Sequence, residues 1–576
     1  MTASKERAAP ITAADPHRAI ARLTSTGRPF EVGTRELGGA PYRTYTHASA
    51  TLLDILAIGG NHGDTDFIVA DGARWTFREY FRAVDAVARA LQTDYGVTAG
   101  DRVAIAMRNC ADWLIAFAAI CSVGAVAVPT NSWGSSEELE YTPLDSEASL
   151  LFADLPRYKL AVGALQGNGI PAVLTDVEGL PEASDNGPRA TPIGDVVLAH
   201  EGPTPTPPTL GPLDLAMLLY TSGSTGKPKG VCYRQVVAGQ ALMNMFLIGF
   251  LSLELGGTGV GAASSGTQSD LITVPLFHAT GLFSGLLLPC MLCHKIALMR
   301  KWDGPTAMAL IESERIAGIS TVPAILKDLL THPDYERHDM SSITRVAAAG
   351  AATPVDLPGL LQEKLEIASR AASFGMTETA SVGATMSGPV FDLKPTSCGI
   401  PSPIIEIRIA ESAADATHGD DGEVQLRGVT VTPGYWRIEA ATREAFTADG
   451  WLRTGDLGTI DDDGFLHITG RIKELVIRGG ENIAPIDIEN AAYRHPSVRE
   501  VTVVGLPDEA MGEELAMVCH PQESAQLDEA TLRAHLKEHL PAHKVPRDIT
   551  ITPHPLPRNA SEKIHRLAVR NSLLGA

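Results

Sequence analysis

The chain has 576 residues, 44% of them hydrophobic and 20% charged, with a mean hydropathy of +0.04. That composition excludes a disordered or fibrous chain, and the length exceeds the roughly 250–300 residues one core can fill, so at least two structural units are expected. A total of 47 Lys+Arg against 68 Asp+Glu leaves a net charge of −21, which argues against a nucleic-acid partner but leaves room for a small phosphorylated ligand in one local pocket.

Along the chain, the N-terminal MTASKERAAPITAADPHRA carries no apolar stretch behind its basic residues, so no secretory signal is expected. TFREYFRAVDAVARALQT over 76–93 spaces its apolar residues for a helix capped by Thr76, while VAIAM (103–107) and VGAVAVP (123–129) predict buried strands. The Pro-dense 202–212 predicts a surface connection before a strand at 216–220, and the Gly/Ser-rich 256–269 a loop. The longest charge-free apolar run, Ala279 to Cys293, has 15 residues and falls short of the ~20 that cross a bilayer. It is expected in the core, and no transmembrane segment is expected.

That run ends in Cys290-Met291-Leu292-Cys293-His294, the spacing of a c-type haem attachment. With no export signal and apolar surroundings, core cysteines are the better reading, and seven scattered cysteines fit a reducing, cytoplasmic setting. From about residue 421 the texture becomes short strands with Asp-Gly and Gly turns, DDDG at 461–464 among them. After 487 a helix start (IENAAYRH), a strand (VTVVGLP) and an amphipathic helix (DEATLRAHLKEHL) predict a separate small α/β unit of the last ~100 residues.

The stretch richest in chemistry is LLYTSGSTGKPKG, residues 218–230. A strand opens into Thr221, Ser222, Gly223, Ser224, Thr225 and Gly226, followed by Lys227 and Lys229. Small residues let backbone N–H groups approach an anion, hydroxyls add donors and lysines add charge. The spacing is neither GxxxxGK[ST] nor GxGxxG, and from the residues alone a phosphate cradle competes with a polar surface turn.

This loop resembles the signature loop of the AMP-forming, adenylate-forming enzymes, which include acyl-CoA synthetases and aryl-CoA ligases. FGMTE (374–378), TGD (454–456), GRIKE (470–474), GGENIAPIDIE (479–489) and a terminal lysine near 563 follow in the family order, so the resemblance spans nearly the whole chain. It implies an α/β fold: a large N-terminal region (1–472) of layered α/β sheets with a small β-rich subdomain, a hinge at Lys473, and a small mobile α+β C-terminal domain (474–576). The implied reaction joins a carboxylic acid to AMP from ATP with Mg²⁺, then passes the acyl group to coenzyme A. A homodimer is compatible with the resemblance.

The resemblance assigns Thr221, Ser222, Gly223, Ser224, Thr225, Gly226 and Lys229 to the phosphates, and Gly350, Ala351 and Ala352 to the adenine and acyl pockets. It places Phe374 against adenine, with Gly375 allowing close backbone approach, and Thr377 and Glu378 at the α-phosphate, Glu378 as the Mg²⁺ ligand. Asp456 would accept the ribose hydroxyls beside Arg471. His278 would flank the acyl pocket, where a plain hydrogen-bonded wall histidine is the competing reading. Gly479, Gly480 and Glu481 would face coenzyme A, with Lys544 and Pro546 near its nucleotide part, and Lys563 would be the catalytic lysine.

One position departs from the family pattern: Glu562 stands where a glycine normally precedes the lysine. A carboxylate beside Lys563 would repel phosphate if it points inward. Two alternatives therefore stand beside a full acid–CoA ligase: an enzyme that only converts a preformed acyl-adenylate to the thioester, supplied by a separate adenylating enzyme, and a non-catalytic adenylate-binding scaffold. The acid is expected to be hydrophobic and bulky, a terpenoid acid of the kind used by diterpenoid-acid CoA ligases of antibiotic biosynthesis being one such substrate.

Overall fold

Alternating strands and helices build two parallel-rich sheets in the computed structural model, which describes residues 11–176, 190–221, 227–257, 268–348, 357–365, 371–410, 421–522, 525–558 and 564–575. The first sheet has seven strands in the order Lys229–Arg234, Leu215–Thr221, Val126–Pro129, Arg102–Ala106, Leu150–Asp154, Ala172–Thr175 and Ala190–Pro192. All neighbours run parallel except the first two, an antiparallel hairpin at the edge. The second sheet has six, Arg345–Ala348, Gly318–Thr321, Ser269–Ile272, Lys295–Leu298, Asp66–Ala70 and Ala73–Thr76.

Strands covered on both faces read as continuous apolar runs, and Val103, Ala104, Ile105 and Ala106 are all fully buried. The helices Phe77–Thr93 and Ala111–Ser122 pack on each other, and one core cluster joins their Phe77, Tyr80, Trp113 and Phe117 to Ile105 of one sheet and Ile296 of the other. The expected cap is present: the Thr76 hydroxyl accepts from Glu79 N at 3.2 Å and the Glu79 carboxylate accepts from Thr76 N at 2.8 Å. The strand expected over 123–129 starts only at Val126, because Val123 still caps the preceding helix.

The apolar run is core, as expected. It forms a helix Ala279–Leu282, a π-helical turn Phe283–Leu287 and a helix Leu288–Leu292, with Leu282, Phe283, Leu286, Leu287 and Cys290 at zero exposure. His294 is engaged within the fold, its Nδ1 lying 2.8 Å from Asp270 Oδ2. Among the described residues one helix, Gln235–Glu254, is long and apolar enough to cross a membrane, but 67% of that window is buried inside the fold.

Two smaller sheets follow. One pairs Ala371–Phe374, Ala384–Ser387 and Ile400–Pro401, and the other is a four-stranded antiparallel meander of Ile405–Ile409, Gly422–Gly428, Leu452–Ile460 and Leu466–Arg471. The acidic DDDG is the turn between the last two strands, where Asp461 pairs with Lys394 at 2.7 Å. A single 3₁₀ turn, Ile472–Glu474, then carries the exposed Lys473 into the small unit.

That unit has a core of its own, including Val476, Ile488, Val503, Leu515, Met517, Leu532 and Leu536. Its strands Val498–Asp508 and Gly512–Pro521 form a long antiparallel pair, with Asp548–Ile551 added in parallel. The helix expected from 488 begins at Pro485, a residue suited to a first helical turn because its missing N–H has no partner to lose there. Arg566, at the head of the last helix Arg566–Leu574, reaches Glu489 with Nη1 at 2.5 Å and Nη2 at 2.7 Å, donates to Val503 O at 3.0 Å, and lies 3.2 Å from Glu474 of the Ile472–Glu474 turn.

Removing one partner of such a pair leaves the other charge buried and unpaired, a loss of about 3–5 kcal/mol. Arg566→Ala is therefore expected to lower the stability of the small unit by about 3 kcal/mol, read as an earlier urea transition, whereas a shift under ~0.5 kcal/mol would mean that Glu489 finds another partner.

Candidate active site

Three sheets converge on one group of charged side chains. From the edge of the seven-stranded sheet comes the hairpin of Leu215–Thr221 and Lys229–Arg234, in which Thr221 pairs directly with Lys229. The loop residues Ser222, Gly223, Ser224, Thr225 and Gly226 lie outside the described residues, but both stems are held. Beneath them the Asp145 carboxylate accepts from the hydroxyls of Tyr220 at 2.7 Å and Tyr141 at 2.9 Å, and Lys227 lies 5.3 Å from the Tyr141 ring centroid. Burial, aided by the bond to Asp145, pushes the Tyr141 phenol up to about 12.

The second contribution is Glu378, in a 3₁₀ turn Thr377–Thr379 that connects the antiparallel strands Ala371–Phe374 and Ala384–Ser387. It is 7% exposed. Tyr435 donates its hydroxyl to Glu378 Oε1 at 2.8 Å, the Glu378 carbonyl accepts from Thr432 N at 2.7 Å, and the Thr377 carbonyl accepts the Tyr233 hydroxyl. Ala380 and Ser381 that follow are left-handed, at φ 55° and 60°, a conformation non-glycine residues adopt at a cost of about 1–2 kcal/mol each.

The third comes from the meander. Asp456 and Arg471 are direct cross-strand partners, so their separation in sequence collapses to an ion pair of 2.7 Å, with the Asp456 side chain 5% and that of Arg471 60% exposed. Burial raises the Glu378 carboxyl above its ordinary value, while the Tyr435 hydrogen bond and the fields of Lys229 and Arg471 pull it back. A desolvated carboxylate with cations on two sides suits an anionic ligand accompanied by a hard divalent ion, and its oxygens are the donors Mg²⁺ prefers.

Residues 58–436 match the model of the AMP-binding enzyme family, and residues 487–563 match that of the AMP-binding enzyme C-terminal domain. The chain belongs to the AMP-binding enzyme family. It is 31% identical over 501 residues to a feruloyl-CoA synthase from Amycolatopsis, covering 87% of this chain and 94% of that one. It is 34% identical over 520 residues to the 3-[(3aS,4S,7aS)-7a-methyl-1,5-dioxo-octahydro-1H-inden-4-yl]propanoyl:CoA ligase of Mycobacterium tuberculosis, covering 88% and 96%. Among solved structures, o-succinylbenzoate CoA synthetase from Bacillus subtilis, in complex with its acyl-adenylate, superposes with a TM-score of 0.72 at 26% identity, covering 91% of this chain and 98% of that one.

In this AMP-binding enzyme the other expected residues fall as follows. Phe374 ends its strand half-buried against the main core. Gly375 is needed by the protein itself: a Cβ there would come within 2.5 Å of the Ser381 carbonyl carbon. His278 is half-buried, precedes the helix Ala279–Leu282, and sets its ring 4.3 Å from that of Phe277. Gly479 and Gly480, at φ 60° and 86°, form the two-residue turn between Val476–Arg478 and Glu481–Ile483, and Glu481 lies 3.6 Å from His543. Lys544 is paired with Asp487 at 2.6 Å. Gly350, Ala351, Ala352, Glu562 and Lys563 lie outside the described residues.

The motif reading missed Tyr435, Tyr233, Thr432 and Asp145. Tyr435 follows a Pro-Gly pair in a strand-rich stretch, and its contact with Glu378 spans 57 positions, a separation no local pattern reveals.

A carboxyl raised in the fold favours the protonated native state, so stability falls as pH climbs from the ordinary carboxylate range through the raised value. Glu378→Gln removes that penalty. We expect its melting midpoint to exceed that of the unliganded wild type by about 1–2 °C at pH 8, the gap closing toward pH 4, with adenylation lost. A gap that does not vary with pH would contradict the assignment.

Proposed function

We propose that this enzyme activates a hydrophobic, bulky carboxylic acid as its acyl-adenylate and transfers the acyl group to coenzyme A. The observation that carries the reading is the buried Glu378 set near Lys229 of the hairpin stem and the Arg471–Asp456 pair. In this reading the loop and Lys229 hold the β- and γ-phosphates, Asp456 holds the ribose, and Glu378 with Thr377 holds Mg²⁺ at the α-phosphate. Bound there, Mg²⁺ shields the charge of the triphosphate.

The acid's carboxylate oxygen attacks the α-phosphorus and pyrophosphate leaves. The thiol of coenzyme A, losing its proton, then attacks the acyl carbon and AMP leaves. A carboxylate is a poor electrophile, and the mixed anhydride supplies the leaving group. Lys563, from the small unit that begins past Lys473, neutralises charge at the α-phosphate in the first step, and Gly479, Gly480 and Glu481 face coenzyme A in the second.

The apolar run 279–292 is packed into the core, while half-buried Thr280, two residues past His278, sets its hydroxyl 3.5 Å from that of Ser381, just beyond the Glu378 turn. This wall supports an acid pocket next to the phosphate site. The curated relatives named for feruloyl and for a bicyclic propanoyl group support an aromatic or polycyclic acid. All seven cysteines are free, which supports a cytoplasmic setting.

Glu562 beside Lys563 favours a second reading, thiolation alone from an adenylate made by a partner enzyme. The two separate in one assay. Acid-dependent ATP–pyrophosphate exchange across aromatic and polycyclic acids supports the full ligase, and its absence together with thioester formation from preformed acyl-adenylates supports the second reading. Lys563→Ala is expected to lower adenylation at least about 100-fold more than thiolation. Glu562→Gly is expected to raise adenylation if the carboxylate points inward, and an unchanged rate would remove that explanation.

A further inference from the structure

The segment Thr432–Trp436 matches none of the motifs used above, yet it touches two parts of the site at once. Its backbone is stitched to the strand that starts at Lys229: Cys232 N donates to Gly434 O at 3.1 Å, and Trp436 N donates to Gly230 O at 2.7 Å. The Thr432 hydroxyl donates to Cys232 O at 2.9 Å, and Thr432 N to the Glu378 carbonyl at 2.7 Å. From the same segment the Tyr435 hydroxyl reaches Glu378 Oε1 at 2.8 Å, and Lys229 Nζ lies 5.0 Å from the centroid of its ring.

We propose that Tyr435 is a positioning residue for adenylation, fixing the Glu378 carboxylate relative to Lys229 so that the ligand carboxylate and the phosphate lysine keep one spacing. The side-chain type suits this task. A lysine or arginine in its place would neutralise Glu378 and compete with a metal ion, whereas a phenol donates one directed hydrogen bond and leaves the carboxylate its charge. The aromatic face adds a weak attraction for the ammonium of Lys229 without binding it in a fixed pair. Burial and the neighbouring carboxylate both keep the phenol protonated and therefore a donor.

The inference rests on the reading that Glu378 serves the adenylation step. Tyr435→Phe keeps the ring and removes the hydroxyl. The expected result is a fall of about tenfold in the ratio of adenylation to thiolation rates, and a weakening of about tenfold in Mn²⁺ binding in the presence of ATP, followed by electron paramagnetic resonance without the acid. In a Glu378→Gln background the same change should add no further loss. Equal falls in both half-reactions, unchanged Mn²⁺ binding, or a loss that adds fully in the Glu378→Gln background would each overturn the proposal. Should the wild type show no exchange with any acid, that result counts against the full-ligase reading, and the Mn²⁺ titration still decides the role of Tyr435. Circular dichroism of the variant confirms that it folds, and if it does not, Thr432→Val, which loses the hydroxyl that ties the segment to Cys232, is expected to weaken Mn²⁺ binding in the same direction.

Discussion

The cost of taking the Glu378 carboxylate out of water governs the arrangement around it. At 7% exposure it needs donors and cations within reach, and each comes from a different part of the chain. The edge hairpin brings Lys229, the meander brings Arg471, and Tyr435 brings the directed hydrogen bond. The backbone after it accepts two successive left-handed residues, Ala380 and Ser381, and the folding back of Ser381 leaves room at position 375 only for glycine. Strain and charge burial thus sit within a few residues of each other. Both oppose the stability of the unliganded fold, and both are supported by the large apolar core beneath, which joins the two parallel sheets through their shared helices.

Much of this is legible in the amino-acid sequence. Periodicity locates the helix Phe77–Thr93 and its cap, the Asp-Gly turns mark the meander, and a mixed helix and strand pattern after residue 487 marks the small unit. Asp456 and Arg471 are the instructive pair. The resemblance puts them side by side at the ribose, and the meander shows the physical reason: a short turn at 461–464 returns the chain along itself and makes them cross-strand neighbours. What stayed hidden are contacts that depend on how sheets approach one another. Tyr435 and Asp145 sit in unremarkable local sequence, and their meaning appears only when the Thr432–Trp436 segment lies along the hairpin and two tyrosines converge on one carboxylate. The apolar run from Ala279 to Cys293 is legible as core, and its helical turns are buried as that reading expects.

The hairpin of Leu215–Thr221 and Lys229–Arg234 stands at the sheet edge, in the one antiparallel pairing of that sheet among the described residues. An antiparallel pair lets a short loop leave and return to neighbouring positions, which places Thr221 and Lys229 side by side at its base. A parallel crossover would have carried the chain to the opposite end of the sheet and separated the two residues.

Arg566 gives the small unit a mechanical character. It joins the turn that follows Arg471 to the Pro485–Tyr493 helix, the strand around Val503 and the last helix, through Glu474, Glu489 and the Val503 carbonyl. The linkage works like a pinned strut. One guanidinium thus braces the start of the last helix against a turn about ninety residues earlier in the chain, so the end of the described chain is held to the beginning of the small unit by charge as well as by apolar packing.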